Sequence, residues 1–421
     1  MSNQTTLLSY PNEFSGNASY DVESIVKFIR ENMKPTDRGL ISVSGGVDSS
    51  TVAVLVDKAM PNSSDMVFID TGFMRFINGE KESEVVRRTL KNFLPRLEIL
   101  DESNLFKRNI FGKEDANEKR VDGFRDTYDF VLNRIAQERG CNVHYDGTIF
   151  LDVKETLDGL KPQSNVGNKF NFEKKIELFR PFYKSQVRQI SEAVGLPEEV
   201  SKRQPFPGPG NSIRTVGTTD EEKLNVQKIA NDLVEQGIEK YFTDLYGKPF
   251  LYDQRSGERI PFQYFAVTLD DIIEEGTDLE NEVKEYVSKL VGKDVMVDVL
   301  RNKATGVKVT PDNHYNRVFA PVVKLDIDGE VDSFVLAHLG RTIPERYGFS
   351  RVINTLSKST SADSSYVVAI RNVKSAGFPA ESIIELPIYS NIAHNIRQQC
   401  PSVGEVCIDI SSKPPATIEY E

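Results

Sequence analysis

Ser44-Gly45-Gly46-Val47-Asp48-Ser49-Ser50 divides two apolar runs, Leu40–Val43 before it and Val52–Ala59 after it. These residue types suit an anion. Two glycines let backbone amides approach a ligand closely and permit positive φ. Asp48, Ser49 or Ser50 can cap a helix that starts here. Free amides at a helix N-terminus, beside small hydroxyls, make a phosphate cradle. An ordinary turn between strand and helix has the same composition. The stretch is neither a Walker A loop, because no Gly-Lys-Ser/Thr follows, nor GxGxxG.

The elements around the loop must place it. Between about 20 and 200, helical periodicity alternates with short apolar runs. Helix Val22–Met33 precedes strand Leu40–Val43, helix Ser49–Ala59 precedes strand Met66–Asp70, and helix Glu80–Phe93 precedes strand Arg96–Leu100. A helical stretch Gly123–Arg139 precedes His144–Phe150, and helix Lys184–Val194 closes the set. This alternation predicts a doubly wound parallel α/β sheet, with ligands beyond the C-terminal strand ends, where Ser44 and Asp70 fall. Gln204–Gly210 (QPFPGPG) is too rich in proline for helix or ladder and reads as a rigid linker or a shaped loop.

Beyond the linker a helix Asp220–Gln236 is expected. FAVTLDD, helix Leu279–Leu290 and DVMVDV then parallel SYVVAIRNV, helix Ile388–Gln399 and GEVCIDI, which predicts a duplicated α+β module. The stretch from 311 to 360 reads as strands near a hairpin at Asp328-Gly329. The expected divisions are a flexible tail 1–20, an α/β domain 21–215, a first α+β module 216–345 and a C-terminal module 346–421.

Composition narrows the classes. A net charge of −11 argues against a protein that neutralises nucleic-acid phosphates broadly. No run of about 18 apolar residues marks a transmembrane helix, and the N-terminus lacks a signal-peptide pattern. Cys141, Cys400 and Cys407 contain no CxxC, which suits a reducing cytoplasm. His144, His314, His338 and His394 are too scattered for a metal cluster.

SGGVDSS resembles the SGGxDS loop of N-type ATP pyrophosphatases, a fold of the adenine nucleotide α-hydrolase type. VFIDTGFMR, DGTIFLDV, LFRPFYKSQVRQISEAVGLP, RQPFPGPGNSIR and DISSKPPATIEYE are similar to stretches of GMP synthases, over their ATP-pyrophosphatase and C-terminal parts. The likeness is good over about 40–215 and 360–421. The glutamine amidotransferase domain of that family is missing.

The resemblance implies ATP as co-substrate and Mg²⁺. It places Ser44, Gly45, Gly46, Val47, Asp48, Ser49, Ser50, Asp70 and Gly147 against ATP, with Asp48 and Asp152 on the metal and Asp48 and Lys184 as the catalytic pair. It gives Arg203, Pro207, Gly208, Lys413, Thr417, Ile418 and Glu419 to the acceptor nucleotide. The implied reaction adenylates an oxygen of xanthosine monophosphate, and ammonia then displaces AMP. Ammonia would come from solution or from a separate glutaminase protein. Other small-molecule nucleotide acceptors, a sulfur donor, or a nucleotide sensor without catalysis remain alternatives. The sequence departs from the family at Asp146, Gln163, Ser164, Gln204 and Asn211. Two C-terminal modules in one chain favour a monomer, the other arrangement being a homodimer through those modules.

Overall fold

A computed structural model describes residues 5–150, 152–153, 171–253, 259–274, 278–309, 315–359, 364–374 and 380–421. The chain forms two compact units. The first comprises Met1–Met74, Glu80–Asn109 and Arg120–Pro209, and the second Arg75–Gly79, Ile110–Lys119 and Gly210–Glu421. The division is therefore not one cut near 215, because two short excursions of the N-terminal half belong to the second unit. Among the described residues no helix is long and apolar enough to cross a membrane.

The first unit holds strands β1 (Thr6–Ser9), β2 (Gly39–Ser42), β3 (Ser64–Asp70), β4 (Glu98–Asp101), β5 (Val143–Asp146) and β6 (Lys174–Glu177). They form one parallel sheet in the order β1-β6-β5-β2-β3-β4. Its helices include α1 (Ala18–Asn32), α2 (Val47–Ala59), α3 (Glu82–Leu90), α4 (Ser103–Ile110), α5 (Asp126–Arg139) and α6 (Lys184–Ala193). Residues read as a tail instead supply the edge strand β1, buried Tyr10 and the Asn17 cap of α1. Four residues are too short to show a period in sequence, and only pairing with β6 makes them a strand. A π-helical turn, Lys119–Arg125, precedes α5.

Strand order reverses between β2 and β5, since β3 and β4 lie on one side of β2 and β5 and β6 on the other. A crevice opens at such a point beyond the carboxyl ends of the strands.

The second unit has α7 (Glu221–Tyr246), β7 (Gln263–Asp270), α8 (Asp278–Val291), β8 (Val295–Val309), β9 (Tyr315–Ile327), α9 (Ser333–Tyr347), β10 (Arg351–Lys358), β11 (Tyr366–Val373), α10 (Tyr389–Gln399) and β12 (Val403–Asp409). The strands share one mixed sheet, β7-β11-β12-β10-β9-β8. The expected hairpin at Asp328-Gly329 is instead the turn from β9 into α9, and the hairpin joins β8 to β9. Gly329 supplies the positive φ, 70°.

A duplication is present, with a different correspondence from the one expected. β9-α9-β10 and β11-α10-β12 are each a parallel pair with a crossover helix, and β10 meets β12 antiparallel at the centre. Ile353 lies opposite Asp409 and Asn354 opposite Ile408, as a two-fold axis between the pairs requires. The sequences agree with this, VINTLSK at 352–358 matching CIDISSK at 407–413. FAVTLDD and DVMVDV, read as leading and closing strands of one module, become the two outer strands β7 and β8. Alternation alone could not reveal this, because strand pairing is long-range. The two expected modules thus build one sheet.

Both faces of that sheet are buried. Tyr264 and Ala266 point into the core under the helices, while Phe265, Val267 and Leu269 point into a second core. The period of two explains the split. The C-terminal segment closes the second core with Tyr420. It is tied to β8 through Thr305 N–H to Tyr420 O and Val307 N–H to Pro415 O, both 2.6 Å.

Candidate functional site

The loop Ser44–Gly46 leaves β2 and enters α2 at the switch point. Gly45 has φ 76°, and a Cβ there would lie 2.3 Å from a Val86 methyl, so glycine is required. The helix begins at Val47 with Gly46 as N-cap and no side-chain cap. Asp48, Ser49 and Ser50 therefore lie in the first turn rather than at the expected cap. Ser49 Oγ instead accepts from Ser44 N–H and meets Ser44 Oγ, both at 3.0 Å, bracing the loop.

A cavity of about 330 Å³ lies over the loop, lined by Ser44, Gly46, Asp48, Ser49, Gly147 and Asp152 among others. Gly147 is needed for closeness, since a Cβ would sit 3.0 Å from Asp48 Cβ and 3.3 Å from Ser49 N. Asp48 pairs with Lys184, the first residue of α6. The other oxygen of Asp48, Oδ1, is buried and makes no hydrogen bond. A buried bare carboxylate oxygen is costly unless a cation or donor arrives. Asp152 Oδ2 accepts from Ile149 N–H at 3.1 Å.

The other predicted residues fall as follows. Val47 is packed in the core and Ser50 is buried beneath the loop. Asp70 Oδ1 accepts from Gly72 N–H at 3.0 Å and turns the chain, while Thr71 lines the cavity. Phe206 and Gly208 also line it, so the proline-rich stretch that contains Pro207 is a shaped loop rather than a plain linker. Arg203 pairs with buried Glu82 at 2.8 Å and reaches Gly45 O at 3.4 Å. In the second unit, Lys413 exchanges backbone hydrogen bonds with Ala380. Thr417 Oγ1 accepts from Arg351 at 2.7 Å, Ile418 packs on the second core, and Glu419 is gripped by Arg214. Gln163 and Ser164 lie outside the described residues.

Sequence reasoning missed the far wall, Phe124, Arg125 and Tyr128. Phe124 and Tyr128 stack, with centroids 6.0 Å apart. Burial pushes the Tyr128 hydroxyl up to about 12. Helical periodicity gave no hint of a site here. The signal is in the structure, not the sequence: a π-turn leads into α5, a feature common at functional sites.

Asp146, the departure at the end of β5, meets Lys175 at 3.0 Å. Burial opposes its ionisation, yet Lys175 and His144 hold the carboxyl below the ordinary value. His144, on the cavity wall, is lowered to about 4, chiefly by burial. The unfolded chain then takes up a proton before the folded one, so stability falls as pH drops from about 6.5 toward 4. Urea denaturation at pH 7 and pH 4.5 should show a loss about 2 kcal/mol larger for the native protein than for His144→Gln. Equal losses would contradict a buried neutral imidazole.

A parallel sheet with a glycine loop and acidic and cationic side chains at its switch point defines a nucleotide-binding α/β protein of the SGGxDS phosphate-loop class. The family model for the GMP synthase C-terminal domain matches residues 355–420. A subunit of the glutamine-hydrolyzing GMP synthase of Saccharolobus islandicus is 33 % identical over 421 aligned residues, covering 96 % of this chain and all of that one. The protein of the same name from Methanococcus maripaludis is 29 % identical, covering 95 % and 98 %. A solved structure similar over 49 % of this chain and 81 % of its own is NMN synthetase from Francisella tularensis, with a TM-score of 0.35 and 15 % identity. The chain belongs to this family of GMP synthase subunits.

Proposed function

We propose that the protein aminates xanthosine monophosphate with ATP and ammonia, giving GMP, AMP and pyrophosphate. The observation that carries this is the cavity at the switch point, where the complete SGGVDS loop, Gly147 and Asp152 meet, in a chain that aligns end to end with GMP synthase subunits.

The loop amides and the hydroxyls of Ser44 and Ser49 cradle the β,γ-phosphates. Lys184 stabilises charge on the departing pyrophosphate. The C2 carbonyl oxygen of the acceptor attacks the α-phosphorus, and the bond to pyrophosphate breaks. Ammonia adds at C2, AMP leaves with the oxygen, and a proton is lost. Asp48 and Asp152 would hold Mg²⁺, which offsets phosphate charge. The unsatisfied Asp48 Oδ1 fits that role, and one or two carboxylates suffice because the nucleotide supplies the remaining oxygens. Among the described residues no group of three or more His, Cys, Asp or Glu is placed to hold a metal alone. The family resemblance gives Arg203, Pro207, Gly208, Lys413, Thr417, Ile418 and Glu419 to acceptor binding, and we keep that assignment as part of the proposal.

Ammonia comes from outside the chain. All three cysteines are buried, and burial raises Cys141 and Cys407 to about 12 and Cys400 to about 11, so none suits a glutaminase nucleophile. A separate glutaminase protein is the partner this implies. The internal two-fold of the second unit's sheet supports a monomer; a species of twice the mass in light scattering, persisting on dilution, would exclude it.

The test is AMP and GMP formation from MgATP, xanthosine monophosphate and ammonium. Matched production of both supports the reading. Turnover with a different acceptor alone would mean that residues such as Asp146, Gln204 and Asn211 have redirected the acceptor chemistry.

A further inference from the structure

Glu419 is held from far along the chain. Arg214 Nε donates to its Oε2 at 3.0 Å and Nη2 to its Oε1 at 2.9 Å. Gln263 Nε2 adds a bond to Oε1 at 2.8 Å. The guanidinium of Arg214 is itself fixed in two directions. It is 1 % exposed and stacks 3.9 Å from the centroid of the Phe265 ring, which sets its plane. Its remaining nitrogen, Nη1, donates to Asn231 Oδ1 at 3.1 Å, which sets its rotation within that plane.

Asn231 is held in turn. Its amide donates to Glu235 Oε1 at 2.8 Å, one helical turn further along α7. Glu235 receives Arg75 Nη1 at 3.0 and 3.1 Å. Every member of this chain of contacts lies in the second unit. A connected and satisfied buried network of this kind fixes geometry.

Anchoring the C-terminal segment does not by itself require this network. Lys119 pairs with Glu421, whose Oε1 also accepts from Gly217 N–H at 2.9 Å. Arg351 holds the carbonyls of Thr417 and Glu419 at 2.5 and 2.6 Å. Arg214, by contrast, forms an ion pair with the Glu419 carboxylate itself.

We infer that Arg214 is a positioning residue for the acceptor nucleotide, holding the Glu419 carboxylate in a single orientation so that it receives a hydrogen-bond donor of the acceptor. This rests on the assignment of Glu419 to the acceptor made above. Arginine suits the task because its planar fork matches a carboxylate at two points, whereas lysine offers a point charge.

The experiment measures KM for xanthosine monophosphate, KM for ATP and the thermal midpoint in Arg214→Lys, Glu419→Gln and Lys119→Met. Arg214→Lys should raise KM for the acceptor about ten-fold or more and leave KM for ATP within about two-fold, because an interaction specific to one substrate is loosened. Lys119→Met removes a buried anchor of the same segment, so it should lower the midpoint yet leave both KM values near native. If Lys119→Met raises KM for the acceptor as much as Arg214→Lys does, the role is anchoring and the inference is wrong. If Glu419→Gln raises it and Arg214→Lys does not, the inference fails while the Glu419 assignment stands. If Glu419→Gln leaves it unchanged, the assignment itself fails. Should Arg214→Lys not fold, Asn231→Ala, which frees the guanidinium to rotate, reads the same KM with the same expected direction.

Discussion

Lys184→Met should lower AMP formation from ATP, acceptor and ammonium by roughly a thousand-fold, about 4 kcal/mol of transition-state stabilisation. The lysine begins α6, and its ammonium pairs with Asp48 in the first turn of the phosphate-loop helix. Charge builds on the bridging and terminal oxygens of pyrophosphate as it departs, and a fixed cation there acts most strongly in the transition state. Stability should barely change. The Lys184 side chain is 33 % exposed and Asp48 27 %, so solvent screens their pair and its loss costs within about 1 kcal/mol. Lys184→Arg keeps the charge and should recover part of the rate. A methionine variant within about ten-fold of native activity would remove Lys184 from the pyrophosphate.

The second large effect is on folding. Asp409 is fully buried, with Arg371 Nη1 3.3 Å from Oδ1 and Arg351 Nη1 3.5 Å from Oδ2. The Tyr420 hydroxyl and the Ser411 N–H also donate to it, each at 2.8 Å. Burial pulls the Arg351 guanidinium down to about 10 even with Asp409 beside it. Asp409→Asn keeps the shape and removes the charge, leaving two buried cations without their carboxylate. Removing one member of a buried ion cluster costs about 3–5 kcal/mol. For a unit of this size that is a fall of roughly 10 °C in the midpoint of the second unit. The first unit makes none of these contacts, so its transition should stay in place. A loss below about 1 kcal/mol would mean the cluster is solvated in the native protein.

Much of the first unit is legible in the sequence alone. Alternating periodicity named β2, α2, β3, α3 and α6, and the glycine loop lay at the strand end where parallel α/β sheets bind ligands. Local signals of that kind reside in seven to fifteen consecutive residues. The acidic and cationic partners of the loop came only from the family resemblance, since Asp48 and Lys184 are separated by 136 positions and meet through folding.

The sequence by itself determined the phosphate loop, the helix and strand content around it and the family, because these depend on neighbouring residues and on whole stretches of identity. Tertiary structure decided the rest. It placed Thr6–Ser9 at the sheet edge, assigned Phe124, Arg125 and Tyr128 to the cavity wall, and showed that the two expected C-terminal modules share one sheet. It also showed Glu419 bound to Arg214, 205 positions earlier. The physical reason is the same in each case. Strand pairing and buried charge pairing are chosen by which partner removes a polar group from an unsatisfied burial, and that partner can lie anywhere in the chain.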